Sequence, residues 1–65
     1  MAAVVYMLLT IQEVSEITRI PVATLRYWRH KGIGPKGARF GGKLMYSRES
    51  VDAWIRDAFE TGESA

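Results

Sequence analysis

A chain of 65 residues can hold one small domain, which buries only about 60% of its unfolded surface and leaves no room for a large enclosed active site. With no cysteine and a single histidine, His30, it has neither a disulfide framework nor the ligands of a zinc site, and no cofactor is expected. The formal net charge is only +2, but Arg19, Arg26, Arg29, Lys31, Lys36, Arg39, Lys43 and Arg48 occupy a segment without one Asp or Glu, a pattern shared by phosphate-binding surfaces and solvated basic faces.

The longest apolar run, residues 2–9, falls well short of the roughly 20 residues that span a bilayer, and no Lys or Arg precedes it as in a signal peptide. No membrane partner is expected, and a soluble cytoplasmic protein is. Within that run, residues 4–9 are β-branched or bulky and suit either a short strand or an extended arm. Thr10 opens T-I-Q-E, a capping box in which the Thr10 hydroxyl and the Glu13 carboxylate satisfy each other's backbone N–H. The spacing predicts a first helix from Ile11 to about Thr18, with Ile11, Val14 and Ile17 buried and Gln12, Glu13, Ser15 and Glu16 facing water.

Pro21 cannot continue that helix and biases Ile20 away from helical geometry, so Arg19 and Ile20 form a tight turn. Proline is suited to begin the second helix, which runs to about His30 and stops near Lys31 and Gly32. Two short helices joined by such a turn are the sequence form of a helix-turn-helix. Residues 34–37 read as a loop, followed by two short strands in residues 38–46 around the Gly41-Gly42 turn, a candidate wing. Ser47 caps a third helix whose apolar stripe is Val51, Trp54, Ile55, Ala58 and Phe59, and residues 60–65 are expected to fray.

The run T-L-R-Y-W at residues 24–28 resembles the recognition helix of MerR-type winged helices. The wider frame resembles the short phage excisionases still more, through L-T-I-Q-E-V at 9–14, R-F-G-G-K-L-M-Y-S at 39–47 and V-D-A-W-I at 51–55. The resemblance implies a small α+β winged helix-turn-helix with about three helices and a two-stranded hairpin wing, all in one domain over residues 1–65. Many relatives carry Gly and Ser where this chain has Arg19 and Pro21, so the turn and second cap differ in detail. A MerR regulator continues into a long dimerisation helix, for which this chain is too short.

If Leu25 and Trp28 point inward, Ala23, Thr24, Arg26, Tyr27 and His30 turn outward toward a DNA major groove. Arg26 then suits guanine O6 and N7, Thr24 a base or phosphate, Tyr27 a phosphate, and Val22 and Ala23 thymine methyl groups. The resemblance supports Arg26 and Tyr27 most strongly, whereas His30 rests on geometry and has an idle surface residue as its plainer reading. Tyr27 has a half-buried core aromatic as its alternative, and Trp28 and Trp54 are expected in the core. In the wing, Arg39 or Lys43 lies against the minor groove or its phosphates, with Gly41 and Gly42 permitting the close approach, and the excisionase resemblance favours Arg39. Thr10, Arg29 and Lys31 are candidate phosphate contacts, the latter two equally readable as solvated charge.

Catalysis fits poorly, because His30 has no acidic neighbour in sequence to orient it beside a nucleophile, and Gly41-Gly42 lacks the frame of a phosphate-binding loop. The resemblance implies a recombination directionality factor that bends double-stranded DNA beside a phage attachment site. Such a factor works with the phage integrase in the bacterial cytoplasm and self-associates on adjacent sites. A small transcriptional regulator is the alternative on the same fold. A module docking residues 4–9 on a partner's sheet edge is the alternative of another class.

Overall fold

Thr10 closes one element and opens the next, and the chain's architecture begins from that switch. The computed structural model describes residues 6–63 and contains, in chain order, β1 (Leu8–Thr10), α1 (Ile11–Thr18), α2 (Val22–Lys31), β2 (Gly37–Phe40), β3 (Lys43–Ser47) and α3 (Arg48–Thr61). The expected capping box is present. Glu13 N–H donates to Thr10 Oγ1 at 3.2 Å, and Thr10 N–H donates to Glu13 Oε1 at 2.8 Å. Ser47 repeats the device before α3, its hydroxyl accepting from Ser50 N–H at 3.0 Å.

The joint between α1 and α2 is built from side chains the sequence left facing water or unassigned. Thr18 Oγ1 donates to Val14 O at 2.7 Å and accepts from Ile20 N–H at 3.3 Å, while Ser15 Oγ donates to Ile20 O at 2.6 Å. These bonds hold Arg19 at φ 62, a left-handed conformation that costs a residue with a Cβ about 1–2 kcal/mol. Pro21 then serves as the N-cap of α2, and Gly32 at φ 78 closes that helix after Lys31, at the expected stop.

The two-stranded hairpin acquires a third strand. The antiparallel sheet has the order β1-β3-β2, so β3 is central, with Tyr46 opposite Leu9 on one side and Gly37 on the other. Gly41 and Gly42 take φ 58 and 90, the paired positive values of a tight hairpin turn. Gly37 belongs to β2 rather than to the preceding loop: a Cβ there would stand 3.1 Å from the Tyr46 ring, a tight contact that glycine avoids. The first strand is Leu8–Thr10 rather than residues 4–9. Tyr6 and Met7 precede it, and Val4 and Val5 lie outside the described residues.

Leu9, Ile11, Val14, Leu25, Tyr46 and Val51 form the buried core, with Ile20, Val22, Trp28, Leu44 and Ile55 packed against it. Trp28 and Trp54 join α2 to α3 with ring centroids 5.9 Å apart. Two expected core positions face solvent instead. Ile17 is 39% exposed and Phe59 86%, left uncovered by the described elements. Glu60 and Thr61, expected to fray, are the last helical residues of α3, which Gly62 terminates at φ 80; residues 64–65 lie outside the described residues. Three helices, a stapled joint between the first two and an antiparallel hairpin beside the second make the architecture that of a winged helix-turn-helix.

The joint yields a prediction. Arg19→Gly removes the left-handed penalty while the Ser15 and Thr18 bonds remain, so it stabilises the fold by about 0.5–1 kcal/mol. In a domain of this size, thermal denaturation then shows a midpoint raised by about 2–8 °C. A lower midpoint would mean that the Arg19 side chain contributes more than its backbone costs.

Candidate nucleic-acid interface

Helix α2 divides into two faces by its own periodicity. Leu25 is buried, Val22 and Trp28 pack against the core, and Arg29, four residues after Leu25, falls on the same stripe and is partly buried. Ala23, Arg26, Tyr27, His30 and Lys31 are exposed on the other side, and Thr24 sits at the boundary. This corrects one expectation: Val22 does not share the outward face with Ala23, since its side chain is packed on the core. Tyr27 is 58% exposed with Lys31 Nζ 5.9 Å from its ring centroid, so it is not a core aromatic.

Strand alternation fixes where the wing residues point. Successive side chains of a strand face opposite sides, and the register puts Leu9, Gly37, Arg39, Leu44 and Tyr46 on the side of the helices. Leu8, Ala38, Phe40, Lys43 and Met45 fall on the other side. Arg39, favoured from the sequence, and Lys43, its alternative, are thus on opposite faces of one hairpin. Arg39 Nη1 donates to Gly42 O at 3.1 Å, folding the side chain along the turn.

The helix-facing wing and α2 enclose an open groove of about 240 Å³ lined by Arg26, Arg29, His30, Arg39 and Leu44. No carboxylate lines it. Arg29 Nε is buried without an acceptor among the described residues, a state that costs about 1–3 kcal/mol for a polar donor. Beneath, burial raises the Tyr46 phenol above its ordinary value of 10.0, while the Arg29 and Arg26 guanidiniums pull in the opposite direction. The site is therefore a strip of exposed α2 side chains with a basic groove along its wing side. Such a strip suits anionic, groove-bearing ligands of the size of a DNA duplex.

Thr10 is outside this cluster. Its amide and hydroxyl are both engaged with Glu13, whose carboxylate occupies the start of α1 where a phosphate was expected. Among the described residues, no group of three or more His, Cys, Asp or Glu is placed to hold a metal ion. No described helix is long and apolar enough to cross a membrane. From the sequence, Arg29 was equally a candidate phosphate contact and a solvated charge, and its partial burial was not expected. Its spacing of four from Leu25 and seven from Val22 was the available signal that it lies on the inward stripe.

The profile of the helix-turn-helix domain family matches residues 8–58, a stretch that runs from the start of β1 into the last turns of α3 and includes every residue of the groove. No curated protein and no solved structure matches the chain.

The buried phenol gives this interface a pH signature. A folded-state value raised above 10.0 means that the neutral phenol is the form the fold accepts. The associated stability is complete below pH 10.0 and is lost as pH rises through the raised value. Denaturant titrations from pH 8 upward should show this alkaline loss in the wild type and a smaller one in Tyr46→Phe. Equal slopes for the two proteins would exclude Tyr46 as its source.

Proposed function

This chain belongs to the helix-turn-helix domain family, which includes excisionase-like small DNA-binding proteins, and from that premise we propose that it is a phage excisionase. In this reading the protein binds short repeated sites beside an attachment site, bends the DNA and directs the phage integrase toward excision of the prophage. It acts in the bacterial cytoplasm, as a DNA-bound factor without catalytic chemistry. The observation that carries the DNA-reading part is the exposed α2 face of Ala23, Arg26, Tyr27 and His30 lying next to a basic wing groove free of carboxylates. The directionality part rests on the run of motifs from L-T-I-Q-E-V to V-D-A-W-I.

Roles follow from position. Arg26, exposed in the middle of α2, presents its fork to guanine O6 and N7; Ala23 and Thr24, in the first turn, reach a base edge or a thymine methyl. Tyr27 and Lys31, stacked on one another, hold phosphate on the flank. A domain this small touches few bases, so occupancy depends on neighbouring copies and on the integrase. The apolar outer side of the sheet supports such contacts: Tyr6, Leu8, Ala38, Phe40 and Met45 line an open groove of about 480 Å³ there, facing away from α2.

Footprinting on phage attachment-site DNA tests the proposal. The wild type is expected to protect repeated short sites and to support excision when integrase is added. Arg26→Ala should lose about 1–3 kcal/mol of discrimination against unrelated DNA. Protection confined to promoters, with no effect on excision, would assign the same domain to transcriptional control.

A further inference from the structure

We infer that the free edge of β2 pairs with the same edge of a second copy of this chain, antiparallel and two-fold about Ala38, so that two sheets become one. This gives a surface to the self-association within the proposed function and rests on that reading for its purpose, while the contact itself is a property of the free protein.

The hydrogen-bond phase of the sheet decides what each edge offers. Opposed residues of an antiparallel ladder alternate between pairs that exchange both backbone bonds and pairs that exchange none. Arg48 N–H donates to Met7 O at 2.8 Å, which fixes that phase where β1 meets β3. Counted from there, Tyr46 turns its backbone groups to Leu9, and Met45 turns its own to Ala38. The N–H and C=O of Gly37 and Arg39 are left pointing away from β3, with no partner among the described residues. The opposite edge is closed at Thr10, whose N–H goes to Glu13 Oε1 and whose carbonyl opens α1.

A second copy is the occupant that β2 itself fits. A two-fold pairing that sets these free groups against each other can centre only on residue 37, 38 or 39. Centring on Arg39 opposes two guanidiniums, and like charges directly opposite are destabilising. Centring on Gly37 sets Arg39 against Pro35, which has no N–H to give. Centring on Ala38 lets Gly37 of each copy exchange both bonds with Arg39 of the other, and each Arg39 side chain then lies opposite a glycine. On the outer face, alanine meets alanine at the axis, where neither side chain is large enough to hold the strands apart. Phe40, 55% exposed, then lies opposite Lys36 of the second copy, within reach of a cation over its ring. Both residues already line the outer apolar groove of about 480 Å³, so the pairing runs the two grooves together.

The chain has no cysteine, so single cysteines at exposed positions report the register directly. Residues opposed in a non-bonded pair have Cα atoms about 4.5 Å apart, within the range a disulfide spans. Under mild oxidation and without DNA, Ala38→Cys is expected to form a linked dimer about tenfold faster than Phe40→Cys, whose two copies the register keeps about 14 Å apart. Mixing Phe40→Cys with Lys36→Cys, which the register sets opposite each other, should restore fast linkage between the two. Ala38→Lys and Ala38→Asp, each checked by thermal melting, should sediment as monomers alone and as a dimer when mixed. Equal linkage rates at the three positions, or a wild type that stays monomeric up to about 1 mM, would overturn the pairing. Since these readouts need no DNA, their failure leaves the DNA-reading role to be judged by footprinting alone.

Discussion

The burial of Tyr46 is the constraint on which the rest of this small structure depends. It sits on the central strand, opposite Leu9 of β1 and Gly37 of β2, and is 1% exposed. Its ring lies in the same core as Leu25 of α2 and Val14 of α1, so one side chain joins the sheet to both helices of the helix-turn-helix. A chain with so little interior cannot hold a wing at a fixed angle by area alone. The aromatic ring supplies a rigid spacer, and glycine at position 37 lets the edge strand close over it.

From that anchor the wing and the recognition helix acquire a common side. Two-residue periodicity turns Arg39 and Leu44 toward α2, and the helical repeat brings Arg29 inward on the stripe of Leu25 and Val22. The positive groove is thus a consequence of core packing, because the residues that bear its charge are carried on the flanks of residues that are buried. The acids are held elsewhere. Glu13 is spent on the cap of α1, and Asp52 pairs with Arg48 at 3.2 Å on the exposed side of α3. An exposed pair of that kind contributes little to stability.

The molecule is also two-faced across its sheet. The inner side of β2 and β3 carries Arg39 and the Tyr46 anchor, while the outer side carries Ala38, Phe40 and Met45 around an apolar groove. The sheet is three strands wide, and among the described residues its outer side is left uncovered around that groove. Charge and apolar surface therefore lie on opposite sides of the same hairpin.

Much of this was legible in the residues themselves, and the legible parts share one property: they depend on neighbours within about four positions. Thr10 with Glu13, Pro21 opening α2, Gly32 closing it, the Gly41-Gly42 turn and the Ser47 cap are local hydrogen-bond or dihedral requirements, and each appears where the sequence puts it. Exposure was decided by distant partners instead. Ile17 and Phe59 repeat at helical spacing yet are exposed, because burial needs a second element opposite and none of the described elements covers them. Ser15 looked like a surface residue until the path of Ile20 brought a carbonyl to its hydroxyl. The third strand arises because α1 returns the chain so that Leu9 pairs with Tyr46, thirty-seven positions away in sequence. The sequence by itself determined where elements start and stop and that the middle of the chain is basic. Only the tertiary structure decided which of those basic side chains meet, because their convergence depends on the long-range pairing that sets the wing against the helix.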